Sequence, residues 1–427
     1  MTETETLFLK AFKASLEYSP AERAKNLENE RWGRLSDVQL GQLFELAQSH
    51  HVLPMVYDAL SLCPGVQPGA GGAASQAKRI SLQLLGLQVK KTGDFLDVYE
   101  ALRKAGARPL VVKGLVLRHL YPKPDLRFSS DEDILIRPEE FDLCDKVLKE
   151  QGMVCKSQQE AEGSYEVPYT RPDGVLYIEL HKTLFPPEQE AYGSFNTFFE
   201  GVHRRAAEIE TDGSAVLTLS PEDHLFYLIC HALKHFLHSG FGIRQAADIA
   251  LFANAYGKGI DWPRIMENCR QINAYFFAAA IFKIGKEYLT FDPEKAAFPE
   301  EWAAADVDEK ALLEDILAAG VYGASTMSRR HSSTITLNAA ARKKQTGRTV
   351  ALLKSLFPPA ADLKGRYPCL EKHPALLPAV WVRRAAAYAK ETNAAKKSRE
   401  KKENSPAEAV EIGTGRVELL KQYRIIE

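Results

Sequence analysis

KGLVLRHLYPKPDLRFSSDEDILI, from Lys113 to Ile136, is the most informative stretch of the 427-residue chain. It begins where a short apolar run, RPLVVKG (Arg108 to Gly114), ends in glycine, and it closes on DEDILI, which alternates as a strand does. Side chains two apart on a strand share a face, so Asp131 and Asp133 project together. Such a pair suits two divalent ions, about 3.5–4 Å apart, clamping an in-line phosphoryl displacement. Magnesium takes few carboxylates and fills its shell with water and substrate phosphate, so a lean site suffices. A third carboxylate comes from VLYIELHKTLF (Val175 to Phe185), where Glu179 sits in mid-strand with Ile178 and Leu180 on the opposite face.

A DxD alone more often marks a solvated strand end than a site. Three features accompany this one: the apolar strand ending in Lys113-Gly114, Ser130 directly before Asp131, and the later strand that carries Glu179. Glu132 lies between the aspartates and falls on the inner face of the strand. A charge there costs several kcal/mol unless paired. Either the strand end is open to solvent or Glu132 joins the site. His181 shares the face of Glu179, where it orients that carboxylate, binds nucleotide or simply packs.

The flanking sequence reads as helix. LSDVQLGQLFELAQSHHVLPMVYDALS puts Leu40, Leu43, Phe44 and Ala47 on one stripe behind an N-cap at Ser36. A Gly/Pro loop (Pro64 to Ser75) precedes an amphipathic helix from about Ala77 to Lys104. A helix from about Pro138 to Gly152 separates the second and third strands. After Ser220, an N-cap, helical periodicity runs to about Thr392. KKSREKKENSP (Lys396 to Pro406) is a charged linker or solvated face, and RVELLKQYRIIE can dock as a short helix or strand. The expected division is 1–107 helical, 108–217 a small α+β core, 218–392 helical, and 393–427 linker and tail.

Composition excludes several classes. Hydrophobic residues make 45% and charged residues 26%, as in an ordinary globular protein. A net charge of −1 gives no global field for nucleic acid or anionic membranes. The basic run ARKKQTGR (Ala341 to Arg348), with Arg329 and Arg330, reads first as a solvated face, so a nucleic-acid partner is possible but not favoured. Six scattered cysteines without a CxxC pair read as free thiols in a reducing compartment. No signal peptide and no long apolar span is legible, so a cytoplasmic location and no membrane contact are expected. His224, His231, His235 and His238 recur at helical spacings, but no HExxH pattern accompanies them and Lys234 intervenes. A supporting role ahead of Arg244 and Asp248 is expected rather than zinc.

The ordered set KG, LYP, Arg127, SDxD, an apolar strand and then ExH resembles the bacterial "uncharacterised nucleotidyltransferase" family of the DNA polymerase beta-like nucleotidyltransferase superfamily. LFELAQSHHVLPMVYDAL, HLFYLICHALKHFLHSGFGIRQAADIALF and LKSLFPPAADLKGRYPCL resemble further segments of it, over about residues 30 to 390. The resemblance implies an α+β fold: a minimal nucleotidyltransferase mixed sheet with large helical portions before and after. It implies transfer of a nucleoside monophosphate from an NTP to an acceptor, with magnesium or manganese on Asp131 and Asp133, and with Glu179 as the third carboxylate, binding one metal or drawing the proton from the acceptor hydroxyl. Lys113 and Arg127 would meet the triphosphate, Gly114 would let the backbone approach it, and Ser130 and His181 would lie on the nucleotide side. Two departures stand out: Lys-Gly where the superfamily has Gly-Ser, and the charged Glu132 between the aspartates. The acceptor is open among a small molecule, a sugar, a protein hydroxyl and an RNA end. The rival is a non-catalytic nucleotide-binding or interaction protein that keeps the fold.

Overall fold

The computed structural model describes residues 1–28, 32–64, 66, 71–155, 163–320, 327–341, 363, 367, 370, 373–383 and 406–427. The chain forms two compact units, Met1–Ala232 with Ile243–Glu314 and Leu233–Gly242 with Asp315–Glu427. The fold is α+β.

In the first unit the N-terminal helices start where side chains can satisfy their free N–H groups. α1 (Glu3–Ser15) opens on a capping box between Thr2 and Glu5, and α2 (Pro20–Leu27) on Ser19. α3 (Asp37–Ser49) opens on Ser36, the expected cap, whose Oγ accepts from the Gln39 N–H. Its stripe of Leu40, Leu43, Phe44 and Ala47 is buried. α4 (Leu53–Leu60) follows, and then α5 (Ala73–Lys104), which begins one turn earlier than its periodicity suggests.

Five strands form the central sheet: β1 (Leu110–Val112), β2 (Glu132–Leu135), β3 (Val154–Cys155), β4 (Glu166–Thr170) and β5 (Tyr177–His181). Their order is β1-β2-β5-β4-β3, with β2 and β5 parallel and the other neighbours antiparallel. α6 (Gly114–Arg118) leaves β1, and α7 (Phe141–Glu150) lies in the crossover from β2. A separate hairpin pairs β6 (Ala207–Thr211) with β7 (Ser214–Thr218). α8 (Pro221–His238), α9 (Ile243–Tyr256), α10 (Trp262–Gln271) and α11 (Tyr275–Tyr288) follow.

Strand alternation sorts the sheet into an apolar face and a chemical one. Val111, Ile134, Val167, Tyr169, Ile178 and Leu180 form one core with Phe95, Val98 and Leu102 of α5 and Cys144, Val147 and Leu148 of α7. Each side chain so buried contributes about 1.5–3 kcal/mol. On the other face the register sets Asp133 opposite Glu179, and Glu166 opposite His181.

In the second unit α12 (Met327–Ala340) packs on α13 (Pro406–Gln422), where a Cβ on Gly413 would stand 2.7 Å from Ile335 Cδ1. Arg329 and Arg416 share Asp315, with nitrogens 2.6 Å and 3.3 Å from its Oδ1. The tail sequence thus enters a helix. Most of the basic run after Ala341, of the segment from Leu353 to Leu370, of the periodicity near Thr392 and of the charged stretch from Lys396 lies outside the described residues. Among the described residues no helix is long and apolar enough to cross a membrane.

Candidate active site

The parallel pairing of β2 and β5 brings residues 46 positions apart into one cluster, by the register Asp133↔Glu179. Asp133, Glu179 and His181 each offer a ligand atom, all within 4.8 Å of one another. The buried Asp133 carboxylate is held at both oxygens: His181 Nε2 donates to Oδ1 at 3.0 Å, and Lys113 Nζ lies 2.9 Å from Oδ2. Burial would raise this carboxyl, but the Lys113 charge and then the His181 bond hold it well below the usual carboxylate range. For His181 burial works against the charged form, yet the bonds to Asp133 and Glu179 push it up to about 9. His181 is therefore a donor that orients carboxylates. Glu166 Oε2 stands 3.8 Å from its other ring nitrogen.

Asp131 enters the site one residue before β2, on the face of Asp133, and is half-buried. Burial, and then the Asp133 charge, raise its carboxyl. Its oxygens fall outside the 4.8 Å group, so it stands beside the cluster rather than within it.

Lys113 is aimed by its backbone and by α8. Its φ of 58° and ψ of −123° are rare for a residue with a side chain. The turn is pinned at both ends: the Lys113 N–H donates to His224 Nε2 at 3.3 Å, and its carbonyl accepts from Leu117 N at 3.0 Å. His224 in turn lies 3.3 Å from Thr218 Oγ1, which donates to the Val111 carbonyl at 2.7 Å. That network makes Nδ1 the protonated nitrogen, and burial followed by the Lys113 charge lowers His224 to about 3. Further along the same helical face, the Tyr227 ring lies 5.9 Å from Lys113 Nζ and His231 Nε2 lies 3.1 Å from it. The spaced histidines His224 and His231 thus serve one lysine.

Glu132 neither opens to solvent nor enters the cluster, which corrects both alternatives read from the sequence. It points to the core face, fully buried, and accepts from Leu115 N (3.0 Å), Arg118 Nη1 (3.1 Å) and Ser129 Oγ (3.0 Å), with Lys91 Nζ at 3.6 Å. Burial would raise it, but Arg118 and Lys91 more than offset that, and the carboxylate stays charged. Its place under α6 requires Gly114, because a Cβ there would stand 2.1 Å from Glu132 Oε2.

Arg127 is buried, with Nε and Nη2 bonded to Asp248 at 2.8 Å and 2.7 Å; Tyr121 also donates to Asp248, at 2.7 Å. This leaves its Nη1 for any further partner. Ser130 is exposed, while its neighbour Ser129 makes the buried bonds. Sequence reading missed Lys91, Arg118, Ser129, Tyr227 and Glu166. A signal existed for Lys91: Gln88, Lys91 and Thr92 continue the buried stripe of Phe95, Val98 and Leu102, where a helix wants apolar residues.

A divalent metal fits the donor set. Asp133 and Glu179 offer hard oxygen atoms of the kind that magnesium and manganese favour, and His181 is the third member of the group. Each Asp133 oxygen carries one donor, and a carboxylate accepts about four bonds in all. No curated protein and no solved structure matches the chain. A family model, "Uncharacterised nucleotidyltransferase", matches residues 36–290, which include every residue of this cluster. With that match over more than half its length and this carboxylate geometry beneath it, the chain belongs to the uncharacterised nucleotidyltransferase family.

Proposed function

We propose that the chain transfers a nucleoside monophosphate from an NTP to an acceptor hydroxyl, with magnesium or manganese held by Asp131, Asp133 and Glu179. The observation that carries this reading is the convergence of Asp133, Glu179 and His181 within 4.8 Å on adjacent parallel strands. Bound ions would neutralise charge growing on the attacking and leaving oxygens of an in-line displacement. The chain's own groups do the rest. Glu179, less buried than Asp133, accepts the proton of the acceptor hydroxyl. That oxygen bonds to the α-phosphorus as the bond to the β-phosphate bridge breaks, and pyrophosphate leaves. Lys113, between β1 and α6 and held against α8, meets the phosphates, and His181 keeps the Asp133 carboxylate aligned. Arg127, Gly114 and Ser130 shape the loop that delivers Asp131. The acceptor is a small molecule, a sugar, a protein hydroxyl or an RNA end. The described cysteines are thiols rather than disulfides, which supports a cytoplasmic location.

Incubation with each α-labelled NTP, magnesium and cell extract tests the proposal. Label should pass to one fraction, and Asp133→Asn should abolish it. If wild type labels nothing and Asp133→Asn preserves the protein's role in cells, the non-catalytic reading replaces this one.

A further inference from the structure

We propose that the first turn of α9, with Arg244 as its charged group, is an oxyanion site that receives the polyphosphate of the nucleotide. The assignment rests on the nucleotidyl-transfer reading above, and it adds a phosphate-binding cation that the sequence motifs do not mark.

Three features of Arg244 conflict with a purely structural role. First, it is only 5% exposed, yet no carboxylate among the described residues forms an ion pair with it. Its Nη1 donates to the Phe128 carbonyl, a neutral acceptor, and its Nε is buried with no partner. The other buried arginines of this region are neutralised: Arg118 by Glu132 and Arg127 by Asp248. An unpaired buried charge is costly, and one carbonyl does not compensate for it. Second, Arg244 is the second residue of α9, at the helix end whose dipole favours anions and disfavours cations; of its N–H groups, that of Ile243 donates to His50 Nδ1 at 3.3 Å. The first turn contains no acidic residue. Third, the imidazole beside it does not relieve the charge. Burial and then Arg244 itself push His51 down to about 4, so that imidazole is neutral at physiological pH.

Position supplies the ligand. Arg244 and Asp248 are one turn apart on α9. Asp248 grips Arg127, while Arg244 reaches Phe128, three residues before Asp131. The carboxyl of Asp131 is close enough to feel the Arg244 charge without pairing with it. A cation thus stands within electrostatic reach of Asp131, without the ion pair that holds Lys113 to Asp133. A polyphosphate is the anion that suits both a helix N-terminus and a guanidinium fork. Local rules broken together in this way are characteristic of functional positions.

The test compares Arg244→Gln with Arg244→Lys in the full-length protein. Gln keeps a donor for the Phe128 carbonyl and removes the charge; Lys keeps the charge. Calorimetric titration uses inorganic tripolyphosphate with magnesium, and each of ATP, GTP, CTP and UTP. Arg244→Gln should weaken tripolyphosphate and the bound NTP by about tenfold or more, and Arg244→Lys by only about threefold. The ligand-free melting temperature of Arg244→Gln should equal or exceed that of wild type, because the unpaired charge is gone. A clamp on Phe128 predicts the reverse pattern, with Arg244→Gln binding tripolyphosphate like wild type or melting lower without ligand, and either result overturns the proposal. Tripolyphosphate binding that Arg244→Gln loses, in a protein that ignores all four NTPs, would sink the nucleotidyl-transfer reading and leave the anion site standing. A wild-type protein that does not bind tripolyphosphate overturns the anion site itself.

Discussion

Glu132 Oε2 occupies the space that a Cβ on Gly114 would need, 2.1 Å from it. The glycine and the buried carboxylate are therefore one unit: the carboxylate caps the entry to α6 by accepting from Leu115 N, and Arg118 and Lys91 neutralise it. Gly114→Ala should force that unit apart. Overpacking of this kind costs about 1–3 kcal/mol, which urea denaturation would register as a lower midpoint at unchanged slope. A midpoint equal to wild type would mean that Glu132 has somewhere else to go.

The two aspartates should behave differently when neutralised. Asp131 is half-buried and its carboxyl is raised, so charge there is unfavourable in the ligand-free protein. Asp131→Asn should melt at or above the wild-type temperature. Asp133→Asn strips Lys113 and His181 of their shared anion and should melt lower. Both should reduce transfer by about 10²–10³, the range for losing a preorganised electrostatic group. Glu179→Gln should also cripple transfer while leaving NTP binding largely intact. Calorimetry beside a pyrophosphate-release assay separates these outcomes.

Lys113 and Arg127, both cations near the loop, should fail for different reasons. Arg127→Ala leaves Asp248 buried without its fork, and breaking such a pair costs about 3–5 kcal/mol. Its defect should be loss of folded protein. Lys113→Ala should keep its fold and lose nucleotide affinity. If Arg127→Ala unfolds at wild-type urea concentrations yet binds NTP poorly, the loop arginine contacts substrate directly.

Acid should destabilise the protein partly through His224. Its folded-state pKa, about 3, lies below the ordinary histidine value of about 6.5, so the unfolded chain binds more protons between those values. Stability from this group is therefore present above about pH 6.5 and is lost as pH falls toward 3. Between pH 7 and pH 5 the loss is on the order of 2 kcal/mol. His224→Gln keeps an acceptor for the Lys113 N–H and removes the titration. Its unfolding free energy should fall less than wild type's over that interval, and parallel curves would refute the assignment.

Zinc should not accompany the histidine helix. His224 and His231 both turn to Lys113, and the metal-competent group among the described residues is Asp133, Glu179 and His181. Manganese titration followed by electron paramagnetic resonance should lose its tight site in Asp133→Asn and keep it in His231→Ala.

How much of this was legible depended on distance along the chain. An apolar run ended by glycine placed β1, period-2 alternation placed β2 and β5, and the Ser36 cap placed α3, because those signals are local. β3 and β4 could not be given bounds: Val154–Cys155 is too short to alternate, and Pro168 interrupts Glu166–Thr170. The shared face of Asp131 and Asp133 follows from the strand period, but the partners of Glu132 do not. They come from α5, α6 and the Ser129 loop, up to 41 residues away, and only packing brings them together. The same holds for Arg127 and Asp248, 121 residues apart.

The Asp133–Glu179 spacing is fixed by ladder hydrogen bonds between β2 and β5 and owes nothing to the length of chain that joins them. Residues inserted near Gly163, in the connection, therefore leave one carboxylate fixed relative to the other. A slip of a single residue in the ladder would instead turn Glu179 into the core and bring Ile178 or Leu180 to the metal side. The site is thus tolerant to growth of its connecting loop and intolerant of any change in strand phase, and domain insertions should be accepted in the first place and never in the second.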